Sequence, residues 1–245
     1  YKDKEMAAAE LTPFYYDLHI HTCLSPCGDD DMTPGNIVGM AAIKGLDVIA
    51  VTDHNSCRNC PAVLKLAEQY GVLAIPGMEL TTAEEVHAVC LFSELSAAME
   101  FDRFVYEKLM KFPNREEIFG KQQIMNEEDI CIGTEPNLLI NSTELSFDEL
   151  WDIVTGQYGG VMIPAHIDKN ANSLISNLGF VPPESQFRTA ELHDMTALEK
   201  LKKSNPYLEQ CRIICDSDAH YLEHIHEPEW KMKVREKSAA AVIRY

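Results

Sequence analysis

Short apolar runs alternate with amphipathic segments along much of the chain. Residues 46–52 are almost continuously apolar, which is typical of a strand buried on both faces of a sheet. The preceding segment, 34–44, has apolar residues at helical spacing, with Thr33 as a candidate N-cap and Gly45 just beyond its end. Because strand and helix follow one another in this way, the pattern predicts parallel βαβ units.

The same alternation recurs later in the chain. The pattern predicts further strands at 15–19, 72–76, 86–92, 160–165, 189–192 and 212–215, and further helices at 61–70 and 147–155. Several such units in 245 residues fit either a barrel or a doubly wound parallel sheet. We expect one α/β domain over residues 15–245, with residues 1–14 as an N-terminal extension.

One segment, 96–141, does not follow the alternation. Its first half predicts a helix at 97–111, and its second half predicts a hairpin at 123–140 with the turn near 133–136. We interpret the whole segment as an insert in the domain.

Acidic residues outnumber basic ones by 39 to 21, which gives a formal net charge of −18. A general nucleic-acid binder needs Lys and Arg to replace the counterions of the phosphates. We therefore do not expect nucleic acid as a partner. No apolar run reaches the roughly 18 residues that cross a bilayer, so we do not expect a membrane partner either.

The eight cysteines do not indicate a small secreted disulfide domain. Residues 1–14 lack the basic flank and apolar core of a signal peptide, so we expect free thiols in the cytoplasm. Cys57 and Cys60 have the spacing of a zinc or redox pair, but no second pair accompanies them.

Histidines and carboxylates recur at the ends of the predicted strands. Side chains two positions apart on a strand point the same way, so a His-x-His pair can reach one ion. The carboxyl ends of parallel strands form the sites of α/β folds. Imidazole and carboxylate together suit Zn, Mn or Fe, and the number of candidates indicates two or three ions. The candidates are His19, His21, His54, Glu79, His87, His166, Asp218 and His220.

These residues occur in motifs that resemble those of the PHP (polymerase and histidinol phosphatase) family. The motifs lie at 17–22, 51–55, 76–79, 165–166 and 217–220, in the family's order. The resemblance implies a stand-alone metal-dependent phosphoesterase. It also implies a distorted (βα)7 barrel with a multinuclear metal site at its C-terminal mouth.

The resemblance also implies how the ligands are shared among the ions. His19, His21, Glu79 and Asp218 would serve one ion. Glu79 would bridge to a second ion, together with His54, His87 and His166. His220 would complete a third position.

The loop after the His-x-His pair departs from the family pattern. Relatives often carry Ser-Asp-Gly there, or a histidine, whereas this loop is longer and holds Asp29, Asp30 and Asp31. Any of the three could be the acidic ligand, and we favour Asp31. Alternatively, all three only interact with the N-terminus of the following helix. We expect Asp53 to orient the imidazole of His54.

The expected chemistry is hydrolysis of a phosphate ester. Bound metal ions lower the pKa of water and create a hydroxide nucleophile, so no catalytic side chain beyond the ligands is required. Candidate substrate contacts are Arg58, Lys169, Arg188 and His193. We expect a small-molecule phosphate ester as substrate. The alternatives are a metal-dependent nuclease and a non-enzymatic scaffold.

Overall fold

The computed structural model describes residues 11–245. The strands are β1 Thr12–Ile20, β2 Val48–Val51, β3 Leu73–Thr81, β4 His87–Leu91, β5 Gln123–Met125, β6 Cys131–Thr134, β7 Val161–Pro164, β8 Thr189–Leu192, β9 Arg212–Cys215 and β10 Lys231–Val234. The α-helices are α1 Pro34–Lys44, α2 Cys60–Tyr70, α3 Leu95–Lys108, α4 Glu116–Phe119, α5 Phe147–Asp152, α6 Leu174–Leu178, α7 Leu198–Ser204 and α8 Ala239–Ile243. None of the helices within 11–245 is both long and apolar enough to cross a bilayer.

A mixed, six-stranded sheet forms the centre of the fold, in the order β10-β1-β2-β3-β4-β7. Strands β1, β2 and β3 are parallel, whereas β4 is antiparallel to both of its neighbours. Strands β8 and β9 form a separate parallel pair. A parallel bridge between Ile20 and Ala219 brings the chain after β9 beside the end of β1, so the strands curl.

The prediction of regular parallel βα units is therefore wrong at β4. Only residues 82–86 connect β3 to β4, and a parallel crossover requires a dozen or more residues. The fold is mixed α/β with a curled, half-barrel sheet, and the seven-stranded parallel barrel is not seen in the described part of the chain.

Both faces of the central strands are buried. In β2, Val48 and Ala50 pack inside the curl of the sheet, whereas Ile49 and Val51 pack against α1 and α2. This alternation follows from the two-residue repeat of a strand. Burial on both faces explains the continuously apolar sequence of β2.

The first helix confirms the capping signals of the sequence. The Thr33 hydroxyl accepts a hydrogen bond from the Asn36 backbone amide, and α1 begins at Pro34. Gly45 follows the helix with φ +80°, a left-handed conformation that glycine adopts without steric cost.

The segment predicted as an insert divides into two parts. Helix α3 packs on the sheet through Phe101, whose ring lies 5.0 Å from that of Phe92, so α3 belongs to the core of the domain. The β5–β6 hairpin turns earlier than predicted. Asn126 makes this turn by accepting hydrogen bonds from the amides of Glu128 and Ile130 through its side chain.

The predicted N-terminal extension also ends earlier than expected. Residues 12–14 are part of β1 and pair with β10. Residues 1–10 lie outside the described part of the chain. All eight cysteines are free, and Cys57 and Cys60 are buried, with both thiols directed at the Gly77 carbonyl.

Candidate metal centre

The candidate ligands meet at one end of the curled sheet. His19 lies at the end of β1 and His21 directly after it, His54 follows β2, His166 follows β7 and Asp218 follows β9. The antiparallel direction of β4 explains how its first residue, His87, reaches the same end. Glu79 lies inside β3, which extends further than predicted, and it pairs with His54 through a parallel bridge.

Two of these residues have a backbone conformation that is costly for non-glycine residues. His166 has φ +29° and Asp218 has φ +54°. Strain of this kind, about 1–3 kcal/mol for each residue, persists only where the surroundings impose it, and it is concentrated at functional sites.

Four buried donor atoms form the tightest group, which we call the cage. They are His19 Nε2, His21 Nε2, Glu79 Oε1 and Asp218 Oδ1. The distance between the two imidazole nitrogens and the four distances from these nitrogens to the carboxylate oxygens run from 2.9 to 3.2 Å. Zn–N bonds of about 2.0–2.1 Å in a tetrahedron separate neighbouring ligands by about 3.3 Å. The cage is therefore within a few tenths of an ångström of the size that such an ion requires.

The outer nitrogens of the two cage imidazoles are held by other side chains. His19 Nδ1 lies 2.8 Å from Glu191 Oε1. His21 Nδ1 lies 2.7 Å from the Ser25 hydroxyl, which itself donates to Asp53 Oδ1. Both Nδ1 atoms therefore carry a proton, and both Nε2 atoms turn a lone pair into the cage.

Four lone-pair donors this close repel one another unless a cation lies between them. Burial lowers the pKa of His21, but Asp218 and Glu79 raise it to about 9, so the ion-free cage attracts protons. Two carboxylates and two neutral imidazoles carry the charge that a divalent cation neutralises. Glu79 Oε1 and Asp218 Oδ1 are also buried without a hydrogen-bond partner, so the cage fits a divalent metal ion.

A second donor group lies around the same glutamate. His87 Nδ1 lies 3.1 Å and His166 Nε2 lies 3.0 Å from Glu79 Oε2, and His54 Nδ1 lies 3.4 Å from Oε1. The Nδ1 atoms of these three histidines are buried without a hydrogen-bond partner. Glu79 can therefore bridge an ion in the cage and an ion in this second group.

A third group joins His21, His54 and His220. The rings of His21 and His220 stack with centroids 4.1 Å apart. Burial, reinforced by the nearby charge of His21, lowers the pKa of His220 to about 4, so this imidazole is neutral at pH 7. Its Nδ1 lies 2.9 Å from the Asp218 carbonyl and donates to it, which leaves Nε2 free to bind an ion.

Comparison with protein families gives the decisive match, to the PHP domain over residues 17–171. The chain belongs to the PHP family. Its members are metal-dependent hydrolases, so the resemblance that the motifs carried is confirmed, and the family agrees with the donor set described above.

Two curated relatives match a shorter part of this PHP chain. An uncharacterized protein of Methanocaldococcus jannaschii is 40% identical over 76 residues, which is 28% of this chain and 44% of that protein. The 5′-3′ exoribonuclease Rnm of Salmonella typhimurium is 34% identical over 76 residues, which is 30% of this chain and 25% of Rnm. The chain therefore matches less than half the length of either curated relative.

Solved structures share the fold at low sequence identity. The lesion-specific endonuclease PfuEndoQ of Pyrococcus furiosus superimposes with a TM-score of 0.62 at 19% identity, covering 95% of this chain and 55% of that one. A putative metal-dependent phosphoesterase of Bifidobacterium adolescentis gives 0.58 at 18%, covering 84% and 87%. An Endonuclease Q complex with a 27-mer duplex also matches, at 0.58 and 20%, covering 86% and 50%. The expectation that nucleic acid is an unlikely partner is not supported by these relatives.

The aspartates of the loop after β1 are not brought into the three donor groups. Asp30 and Asp31 are exposed, and Asp31 contributes only its carbonyl, to Asn36. Asp29 lies nearer the site through its backbone amide, which donates to the His220 carbonyl. The extra length of the loop thus leaves these carboxylates outside the groups.

Asp53 also differs in detail from its predicted role. Its carboxylate accepts hydrogen bonds from Thr22 and Ser25. It therefore acts on His21 through Ser25, whereas the prediction paired it with the imidazole of His54.

Only one of the four predicted substrate contacts lines the cleft over the metal centre. This cleft has a volume of about 430 Å³, and Lys169 and Ile140 are among the residues that line it. Arg58 pairs with Glu135 at 2.7 Å in a separate depression. His193 is exposed and outside the cleft.

Arg188 lies furthest from its predicted place. It precedes β8 at the amino end of that strand, away from the metal centre, and it is exposed. A basic residue near a strand in the sequence cannot be assigned to one end of the sheet until the strand boundary is known.

Glu191 is a site residue that the sequence pattern did not reveal. It lies in β8, where all four residues are buried. Its carboxylate contacts His19 Nδ1 and also accepts a hydrogen bond from the His166 backbone amide at 2.9 Å. Burial raises the pKa of neighbouring Asp216 well above its usual value, and the negative charge of Glu191 adds to this. The local sequence marks Glu191 only as an acidic residue inside a short strand, and it does not indicate the contact with His19.

Proposed function

We propose that this PHP domain is a phosphoesterase that works with two or three bound divalent ions. The observation that carries the proposal is the overlap of three donor groups through Glu79, His21 and His54 beneath one open cleft. Overlapping groups would hold the ions close together. Two close ions can stabilise both the attacking and the leaving oxygen when a phosphate ester is hydrolysed.

The residues divide into ligands and supporting groups. His19, His21, Glu79 and Asp218 would hold one ion, and Glu79 with His54, His87 and His166 a second. His220 would complete a third position with neighbouring ligands. Mixed imidazole and carboxylate donors suit Zn, Mn or Fe. Bound ions would supply an activated water and neutralise charge on the phosphoryl oxygens.

Lys169 is the cationic side chain that faces this cleft. Its Nζ lies 2.7 Å from Asp218 Oδ2, the oxygen that does not belong to the cage. Burial lowers the pKa of Lys169, but Asp218 raises it above its ordinary value, so the ammonium stays charged. It would bind a non-bridging oxygen of the substrate phosphate and hold the ester next to the ions.

Two substrate classes have support. A small-molecule phosphate ester fits a cleft of about 430 Å³ with one cation on its rim, in a chain of net charge −18. A nucleic-acid phosphodiester is supported by relatives that are named as an endonuclease and an exoribonuclease. Phosphate-ester hydrolysis is common to both.

Activity of the metal-reloaded protein tests the proposal. The protein is stripped of metal and reloaded separately with Mn, Zn or Fe. It is then incubated with nucleoside monophosphates, sugar phosphates, end-labelled RNA, and duplex DNA containing an abasic site. The site variant is His220→Ala, and the matched control is the exposed His224→Ala.

We expect hydrolysis with at least one metal, loss of activity in His220→Ala and unchanged activity in His224→Ala. Release of phosphate from monoesters alone assigns the small-molecule class, and cleavage of RNA or DNA alone assigns the nuclease class. Equal activity in the His220→Ala and wild-type proteins would contradict the proposed site.

A further inference from the structure

A second cavity lies at the end of the sheet opposite the metal centre. It has a volume of about 440 Å³, within the usual range for ligand pockets. Val234 of β10 pairs with Thr12 at the start of β1, and His19 of the cage lies seven strand positions further on, about 23 Å away. The two cavities are therefore separate sites.

The lining of this cavity is strongly basic. Four cations line it, and Glu236 is the one acidic side chain among the lining residues. The cations come from three parts of the chain that the fold brings together: Arg212 from β9, Lys233 and Arg235 from β10 and the residue after it, and Arg244 from the residue after α8.

These cations are not neutralised by the protein within residues 11–245. None of the four forms an ion pair with a carboxylate of the described residues. Glu236 instead accepts from the Ser238 hydroxyl, and Arg244 Nε donates to the Ala240 carbonyl. The Arg212 guanidinium lies over the Tyr245 ring at 4.4 Å from its centroid, a cation–π contact that leaves its charge without a carboxylate partner.

This arrangement runs against the composition of the chain. With 39 acidic residues for 21 basic ones, a random surface region would be acidic, yet the side chains that line this cavity carry a net charge of about +3. Like charges around one cavity destabilise the fold unless an anion binds among them. Guanidinium groups match phosphate oxygens in two-pronged hydrogen bonds, and a lysine adds a mobile charge.

We propose that this cavity is a binding site for a small anion with adjacent phosphoryl groups, of the diphosphate class. Three guanidinium groups and one ammonium group exceed what a single phosphate neutralises. The concave shape favours a compact anion over a nucleic-acid strand. The proposal does not depend on the function proposed for the metal centre.

Calorimetric titration with inorganic pyrophosphate at fixed ionic strength tests the site in the metal-loaded protein. The cavity variant is Lys233→Gln with Arg235→Gln. Both residues are exposed, and the β10 residues that pack inward are Met232 and Val234, so folding should be retained. The matched control, with the same change in charge, is Lys200→Gln with Lys203→Gln, two exposed lysines of α7 outside the cavity.

We expect pyrophosphate to bind the cavity variant roughly tenfold more weakly or worse, and the control pair as tightly as wild type. Hydrolysis at the metal centre should be unchanged in the cavity variant. The variant His54→Ala should keep the cavity binding, because His54 belongs to the other end. A second pair, Arg212→Gln with Arg244→Gln, repeats the test from other elements if the first pair fails to fold.

Three results would overturn the proposal. One is pyrophosphate affinity that both cavity pairs leave unchanged. Another is an equal loss of affinity in the control pair, since that would reflect overall charge alone. The third is a single-stranded oligonucleotide whose binding depends on the cavity while pyrophosphate binding does not.

Discussion

The two oxygens of Glu79 face two donor groups that are built differently. On the Oε1 side, the cage imidazoles of His19 and His21 have their outer nitrogens held by Glu191 and Ser25. On the Oε2 side, His166 turns Nε2 to Glu79, and its outer nitrogen, Nδ1, is buried with no hydrogen-bond partner. The protein therefore fixes the cage geometry by itself, whereas the second group depends on Glu79.

The difference in support predicts how tightly each donor group binds its ion. Residues that hold the outer nitrogen of a ligand fix its tautomer and orientation before an ion arrives. The cage should therefore bind its ion more tightly and keep it longer. The second group should exchange its ion more readily, and it lies on the wall of the cleft through His54, His87 and His166.

Removing the charge of the shared carboxylate weakens both the cage and the second donor group, so it should have the largest effect on activity. Glu79→Gln keeps the shape of the side chain but removes the charge that both groups use. We expect activity to fall by more than about 100-fold, beyond the 10–100-fold typical of outer contacts, and metal content to fall in both groups. Metal analysis and steady-state kinetics measure this. Retained metal at wild-type stoichiometry would contradict the bridging role, and Glu184→Gln, an exposed glutamate, is the control.

Loss of one candidate ligand on the Oε2 side should affect the second donor group and leave the cage intact. His87→Ala leaves all four cage atoms in place, so we expect one ion fewer for each chain, and a smaller loss of activity than in Glu79→Gln. Metal analysis after dialysis counts the ions. His193→Ala, an exposed histidine outside the cleft, should leave the count unchanged. Loss of every ion in His87→Ala would show that the cage is not independent.

Loosening the cage without removing a ligand gives a smaller effect. Glu191→Gln removes the charge that orients His19 and keeps the size of the side chain. We expect the cage ion to bind roughly 10–100-fold more weakly, while the second group is unaffected. Competition with a chelator measures the affinity. An unchanged cage affinity would assign Glu191 a purely structural role.

The sequence was sufficient to predict most of the candidate ligands that the fold brings together, but not the residues that hold them in place. Histidines and carboxylates at strand ends, such as His54 and Asp218, stand out because those residue types rarely follow apolar strands together. Glu191 did not stand out, because its partner His19 is 172 positions away, and nothing local marks the contact. Long-range pairing is a property of the fold, which a single sequence does not display.

The fold shows the same contrast between local signals, which the sequence displays, and long-range pairing, which it does not. Local signals predicted β8, β9 and α1 well, because capping residues and apolar runs act within a few positions. The direction of β4 was missed, because strand direction depends on the length of the 82–86 connection, and the continuous apolar pattern is the same for either direction. The substrate residues were the least predictable, since Arg188 and Lys169 both neighbour strands but lie at opposite ends.

The smallest expected effect is on stability without metal. The folded-state pKa of His21 is about 9, above its ordinary 6.5, because Asp218 and Glu79 outweigh burial. A raised pKa stabilises the fold fully below pH 6.5, and this contribution is lost as the pH rises towards 9. Urea unfolding in a chelator should therefore show the free energy of unfolding falling between about pH 7.5 and 8.5. This window ends before the ordinary cysteine pKa of 9.0. It begins about one pH unit above the ordinary histidine pKa of 6.5, where His54 and His220, whose pKa values are lowered, are largely deprotonated in the unfolded chain as well. The lowered pKa values of Glu79 and Asp218 keep both carboxylates charged throughout this pH window.

With the ion bound, the metal replaces the proton on His21, and the fall in the free energy of unfolding with pH should disappear. An equal slope with and without metal would show that the cage does not exchange protons for an ion.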